Sequence, residues 1–330
     1  MPITRHTFNR WLAGSAAGLL TGAHRWVHAE SAAAWPTRTV KLLVGFPAGS
    51  TPDVTARALA DGLSGVLGQA VVVENKAGAS GNIAADQVAK ARDGHTLGVV
   101  INGNLTSAKL LNPALPYDPA RDFSLISQLT SAPLVLVTTP NLPEGAAFFA
   151  AAAKEGDRWN YGSVGAGSLA HLGMELLKTR MPGFKPVHIP FQGNPAVITA
   201  LLGGQIQMAL MPPGLVLQHV KAGKLHVVGL TTTGRSTVAP DVPPLADAGV
   251  KNFNLEVWNG LVGPASLPPA AQQRLAQVVP QIIRSPAVRE RLFAQGWTAI
   301  GSSPEGFAQR VAAERASMAA IIKAVGVTTG

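Results

Sequence analysis

The 330-residue chain has no cysteine, few aromatic residues (5%) and few charged ones (14%). Without cysteine there are no disulfides and no thiolate metal site. A domain of this size does not need such staples, so an oxidising compartment stays open. The low charge and 47% hydrophobic content exclude a disordered chain and favour large buried cores. Beyond the N-terminus no run of 18 uninterrupted apolar residues occurs, so no transmembrane helix is expected there. Dense Lys/Arg runs and basic–aromatic interleaving are also missing, which argues against nucleic acid as a partner.

The net charge is +9, and +6 without residues 1–29, where Arg5, Arg10 and Arg25 stand without an acid. A modest positive field favours an anionic ligand. Those first residues read as a signal peptide. Arg5 and Arg10 precede a small apolar run, Trp11 to Ala23, and Val27-His28-Ala29 offers a small-x-small cleavage site. The stretch Thr4-Arg5-His6-Thr7-Phe8 looks like a twin-arginine signal with its second arginine replaced. Export to the periplasm with cleavage near Ala29 is therefore expected.

From Thr39 onward, short β-type runs alternate with helical ones: Val40–Val44, Ala56–Leu67, Ala70–Val73, Ile83–Ala91, Thr96–Ile101. This predicts βαβ units and a mostly parallel sheet. Prolines 113, 116, 119, 133, 140 and 143 then break the order, which predicts a crossing between two domains. A second βα series runs from Trp159 to Leu230, and the last 60 residues read as helices around Trp297–Ile300, returning to the first domain. The expected division is a first lobe of 36–138 plus 262–330 and a second lobe of 139–261.

Two segments share a design of strand, glycine-rich turn and helix start. One runs Leu43-Val44-Gly45-Phe46-Pro47-Ala48-Gly49-Ser50-Thr51-Pro52-Asp53, the other Tyr161-Gly162-Ser163-Val164-Gly165-Ala166-Gly167-Ser168 to His171. Thr51 with Pro52, and Ser168, read as helix starts. Such ends present unpaired N–H groups and a partial positive charge, and bind carboxylate or phosphate without a formal cation. Both turns could equally do no more than begin helices. A third turn, Asn102-Gly103-Asn104 with Thr106, would add amides and a hydroxyl to the same rim.

Other chemistries are weaker. Gly165-x-Gly167-x-x-Ala170 resembles a dinucleotide fingerprint, but Pro186–Pro190 lacks the acid that reading needs, and no cofactor is expected. Ser168 and His171 are three apart on one helix and suggest a hydrolase dyad, yet no G-x-S-x-G elbow surrounds them. The eight histidines show no metal-ligand spacing, so no metal is expected. Asp53 reads chiefly as a helix-dipole partner. Phe46, Phe191 and Trp258 each stand near a strand end, where they could wall a pocket or pack under loops.

Several motifs together resemble the Bug family of extracytoplasmic receptors for tripartite tricarboxylate transporters. They include Phe46-Pro47-Ala48-Gly49-(x)3-Asp53, Val71–Ile83 with Glu74-Asn75-Lys76-x-Gly78, Leu115-Pro116-Tyr117-Asp118-Pro119, Val187–Gly193, Leu201–Ile206 and Pro240-Asp241-Val242-Pro243. The resemblance implies an α/β chain with the type II periplasmic-binding-protein fold, two βα lobes joined by a hinge around a ligand cleft. It implies a non-enzymatic receptor that passes a small carboxylate to membrane permease subunits; a monomer is expected, and presentation of the ligand to a sensor kinase is the alternative output. By position it implies ligand contacts at Phe46, Ala48, Gly49, Ser50, Asp53, Asn102, Asn104 and Thr106 in one lobe. In the other it implies Ser163, Gly165, Ala166, Gly167, Ser168 and His171, with Gln192 and Gly193 nearby. Family members often carry Gly-Gly where this chain has Gly49-Ser50, so an added hydroxyl is expected at the ligand. Many carry a polar or acidic residue where this chain has Met211. An apolar site there points to an aromatic or aliphatic carboxylate without an ammonium group.

Overall fold

In the computed structural model, residues 35–327 are described; the signal-peptide reading of residues 1–29 lies outside them. The elements run β1 (Val40–Val44), α1 (Thr51–Leu67), β2 (Val71–Asn75), α2 (Asn82–Lys90), β3 (Thr96–Ile101), α3 (Asn102–Leu105), α4 (Ala108–Leu111) and β4 (Phe123–Pro133). Next come β5 (Val135–Thr138), α5 (Gly145–Glu155), β6 (Asn160–Ser163), α6 (Leu169–Arg180), β7 (Val187–Pro190), α7 (Asn194–Leu202), β8 (Met208–Met211), α8 (Pro213–Lys221) and β9 (His226–Leu230). The chain closes with β10 (Glu256–Pro264), α9 (Pro269–Arg284), α10 (Pro286–Ala294), β11 (Thr298–Ala299) and α11 (Pro304–Val325).

These strands form a six-stranded sheet, β11-β4-β10-β3-β1-β2, and a five-stranded one, β7-β6-β8-β5-β9. In the first, β1 lies between β2 and β3, all parallel. All six residues of β3 are buried, as expected of a strand covered on both faces. The expected mostly parallel sheet is corrected, because both sheets are mixed. The reason is the crossing itself. β4 carries the chain out of the first sheet and β10 brings it back, so these neighbours must run antiparallel. In the second sheet β5 is antiparallel to both β8 and β9. The strands also move the division between the sheets. β5 pairs in the second sheet and β10 in the first, so the crossings fall at Leu134 and within 231–255, not at 138 and 261.

The crossings are tied together by Thr231, which is fully buried. Its hydroxyl accepts from Leu134 N at 2.9 Å and donates to Leu255 O at 2.6 Å. Its own N–H donates to Leu134 O, and Leu255 N donates to Thr231 O, both at 2.9 Å. One side chain thus joins the outgoing and returning strands. The C-terminal helix α11 adds a strut across the same waist. Phe307 packs with Leu43, Val100 and Trp258 of the first sheet, while Met318 packs with Tyr161 and Leu210 of the second and with Leu172 of α6. Among the described residues no helix is long and apolar enough to cross a membrane.

Replacing Thr231 with the near-isosteric valine leaves a buried N–H and a buried carbonyl without their side-chain partner. The expected loss is about 2–3 kcal/mol of unfolding free energy, read from urea denaturation. A loss below about 0.5 kcal/mol would show that the strands hold together without this hydroxyl.

Candidate functional site

The carboxyl ends of β1, β3, β6, β7 and β8 open on one cleft between the two sheets, where ligands sit in open α/β folds. In the first turn, Gly49 takes φ 77°, a left-handed conformation that suits glycine. Its N–H donates to Asp53 Oδ2 at 3.0 Å. Asp53 is 2% exposed and also accepts from Arg57 Nε at 3.0 Å and Asn75 Nδ2 at 2.9 Å. Burial alone would raise this carboxyl, but the bonds from Arg57, Asn75 and Gly49 outweigh it and hold it below the usual carboxylate range. Asp53 is therefore committed to holding the turn. The residue that precedes α1 as its N-cap is Ser50, one position before the expected Thr51.

The second turn is held in a parallel way. Gly165 and Gly167 take φ 122° and 78°. Ser163 Oγ donates to Gly165 O and accepts from Gly165 N, both at 3.1 Å, and lies 2.7 Å from His188 Nε2. Ser168 caps α6, its Oγ accepting from His171 N at 3.3 Å. The His171 ring turns back so that Nδ1 accepts from Gly167 N at 3.1 Å. It stacks on His188 with ring centroids 4.1 Å apart. The Ser168–His171 hydrolase dyad is thus excluded by geometry: the hydroxyl meets the backbone N–H of His171, and the ring serves the turn. Burial lowers the pKa of His171, and burial with the neighbouring His171 lowers that of His188 to about 3.

Loops of the two sheets touch across the cleft, the second turn against the segments before α2 and α4. Ser80 Oγ donates to Ala166 O at 3.1 Å and Ser107 Oγ to Gly167 O at 2.6 Å. A Cβ at Gly193 would lie 3.1 Å from Pro47 Cδ. The cleft is closed in this conformation. Its inner chamber is lined by Phe46, Ser50, Asn102 and Ser168, with the starts of α1, α6 and α7 and the apolar Leu134, Leu210 and Val257. A more polar outer chamber is lined by Ser80, Asn104, Ala166 and Gly167, and shares Ile101 and Ser168 with the first. Among the described residues no charged side chain lines either chamber. Among the described residues no group of three or more His, Asp or Glu is placed to hold a metal ion.

The expected residues divide into three sets. Phe46, Ser50, Asn102, Asn104, Ala166, Gly167 and Ser168 line the chambers. Asp53, Thr106, Ser163, Gly165 and His171 stand behind them and shape the turns; Thr106, for instance, donates to Asn102 O at 2.9 Å. Ala48, Gly49 and Gln192 are exposed and line neither chamber, and Gly193 packs near Pro47. Met211 is also corrected. Side chains alternate along β8, so Leu210 and the following Pro212 reach the chamber while Met211 packs with Val135, Val197 and Val216. Of the three aromatics near strand ends, Phe46 walls the chamber, Trp258 is fully buried, and Phe191 packs near Gly162. The sequence reading missed Asn194, although Gly193-Asn194-Pro195 repeats the glycine-then-helix pattern. It also missed Ser80 and Ser107, whose partners lie 86 and 60 residues away.

Comparison with known proteins follows the same lines. The profile of the tripartite tricarboxylate transporter family receptor, TctC, matches residues 55–327. The chain is 33% identical to Protein BugT of Bordetella pertussis over 300 residues, 90% of this chain and 92% of that one. It superimposes on R. palustris Rpa4515 with adipate at TM-score 0.85 and 30% identity, covering 89% of this chain and 99% of the other. It superimposes on MatC of Rhodopseudomonas palustris with bound malate at TM-score 0.81 and 30% identity, covering 87% and 99%.

The buried imidazoles make stability depend on pH with a definite sign. The fold keeps both rings neutral below their unfolded value of 6.5, so on acidification the unfolded chain gains protons first. Stability should be level with respect to these groups above pH 6.5 and fall as pH drops from 6.5 toward about 3. The share of Asp53 is lost only below its unfolded value of 3.8. Burial holds the Glu314 carboxyl above its usual value of 4.5, so the folded chain takes up that proton first and Glu314 opposes the histidines in the upper window. The histidine share is therefore the difference between the native chain and a His188 variant. Urea denaturation at stepped pH checks this, and His188→Gln should make the slope shallower. A native-chain slope no steeper than that of His188→Gln between pH 6 and pH 4.5, roughly the window set by those shifts, would contradict it.

Proposed function

The chain belongs to the tripartite tricarboxylate transporter receptor family, and from that premise we propose that it closes two lobes on one small carboxylate and delivers it to membrane subunits of such a transporter. Members of this family are periplasmic solute-binding receptors and not enzymes, and neighbours in fold hold adipate or malate. The observation that carries the reading is the meeting of the α1 and α6 starts across a cleft without charged side chains. Amides at helix starts suit a carboxylate. The absence of any acid on the lining disfavours a ligand ammonium, which would be buried without a counter-charge. Phe46, Leu134, Leu210 and Val257 suit an aliphatic or aromatic body beside the carboxylate. The lobes are taken as the first sheet with its helices and the second sheet with its helices, hinged at Leu134 and around Thr231–Leu255 and bridged by the ligand as they shut.

Ser50 makes the reading specific. Ser50 lines the inner chamber, and its buried hydroxyl has no hydrogen-bond partner among the described residues. A ligand oxygen would provide one. A calorimetric panel of mono- and dicarboxylates should give saturable binding. For the tightest of them Ser50→Ala should weaken affinity about tenfold, the worth of one such hydrogen bond. The melting temperature of the unliganded variant should not fall, since no intramolecular bond is lost. A panel without binding, or unchanged affinity in Ser50→Ala, would contradict the reading at its general or its specific level. Loss of carboxylate uptake on deletion of the gene tests the transporter.

A further inference from the structure

Asn102 lines the inner chamber at the carboxyl end of β3 and is 1% exposed. Its Nδ2 donates to Glu314 Oε1 at 2.7 Å, while its Oδ1 has no partner among the described residues. Glu314 lies on α11, outside the chamber lining. Its other oxygen accepts from Trp258 Nε1 and pairs with Arg310 at 3.3 Å. Burial raises the Glu314 carboxyl, opposed by the bonds from Trp258 and Asn102 and by the charge of Arg310. As a carboxylate it only accepts hydrogen bonds and so selects which end of the amide faces it. Turning the amide over would set Oδ1 against Oε1 and leave Nδ2 without its acceptor. The polar atom of Asn102 left for the cleft is thus a carbonyl oxygen, an acceptor with nothing to accept.

We propose that the Glu314–Asn102 pair makes this cleft selective for hydroxycarboxylates, whose hydroxyl donates to Asn102 Oδ1. The inference rests on the carboxylate reading above and narrows it. A ligand without a donor would seal this carbonyl in the closed cleft unpaired, and sites built to pair a ligand hydroxyl reject analogues that lack it. An ammonium could donate as well, but no acid lines the chambers to balance it, and Glu314 is already paired with Arg310. Asn102 would touch the ligand. Glu314 would act through Asn102, as a positioning residue 212 positions away in the chain.

The test is calorimetric titration with matched acids that differ by one hydroxyl: succinate and malate, adipate and 3-hydroxyadipate, 3-phenylpropanoate and 3-phenyllactate. In the tightest-binding pair the hydroxy acid should lead by about tenfold or more, one hydrogen bond's worth. Asn102→Leu should bring the two members of that pair within about threefold of each other, since its side chain cannot accept. Glu314→Gln keeps the shape but cannot accept from both Asn102 and Trp258, and can turn its own amide toward Oδ1, so the ratio should shrink there too. This ratio would not move if Glu314 served only to hold the helix in place. A deoxy acid equal to or ahead of its partner in the native chain overturns the proposal, as does a ratio unchanged in the variants. If Glu314→Gln does not fold, the native ratio and Asn102→Leu decide. Binding of carboxylates without hydroxyl preference leaves the receptor reading intact and removes only this one; no binding of any acid removes both.

Discussion

A carboxylate that leaves water for a closed cleft loses its hydration, and among the described residues no cationic side chain lines this cleft to compensate. The loss is several kcal/mol for a buried ion. One helix start carries roughly half a positive charge and contributes up to about 2 kcal/mol when partly buried. A single lobe is therefore too weak to hold the anion out of water. Two helix starts, with hydroxyls and side-chain amides beside them, come into the needed range only when they face each other. That constraint ties binding to closure: the ligand is fully compensated only where both lobes reach it.

The groups behind the cleft follow from the same need. Backbone N–H groups stabilise an anion only if they are already aimed at it, because reorienting them costs what they would contribute. Asp53 fixes the first turn through Gly49, and His171 fixes the second through Gly167. Each is a buried titratable side chain spent on aiming a glycine turn. Asn102 is fixed in turn by Glu314 on the helix that crosses the waist. A residue type that suggests chemistry thus serves geometry here, and the chemistry passes to backbone amides.

What could be read in advance was what is local in sequence. The βα order, the two glycine turns and the Ser168 cap are encoded within about ten residues each, and the structure has all of them. Ser50 was singled out as a hydroxyl at the ligand and it lines the chamber. The errors arose where a side chain's direction or a distant partner decides. Met211 and Leu210 are equally apolar, and only the pleat register shows which of them faces the cleft. Asp53 and His171 lie at the right places but point back into their own turns. The antiparallel crossing of β4 with β10, the Thr231 tie and the Asn102–Glu314 bond join segments far apart in sequence, and no periodicity carries that information.

The most direct measurement is the backbone amide spectrum of the isotopically labelled chain titrated with its tightest carboxylate. Donation to an anion moves an amide proton downfield. The largest downfield shifts are expected at Thr51 and Asp53 at the start of α1 and at Leu169 and Ala170 at the start of α6, all saturating together. Shifts confined to one of these helix starts, or centred on the separate groove near Val238–Pro243, would contradict capture of the carboxylate between the two.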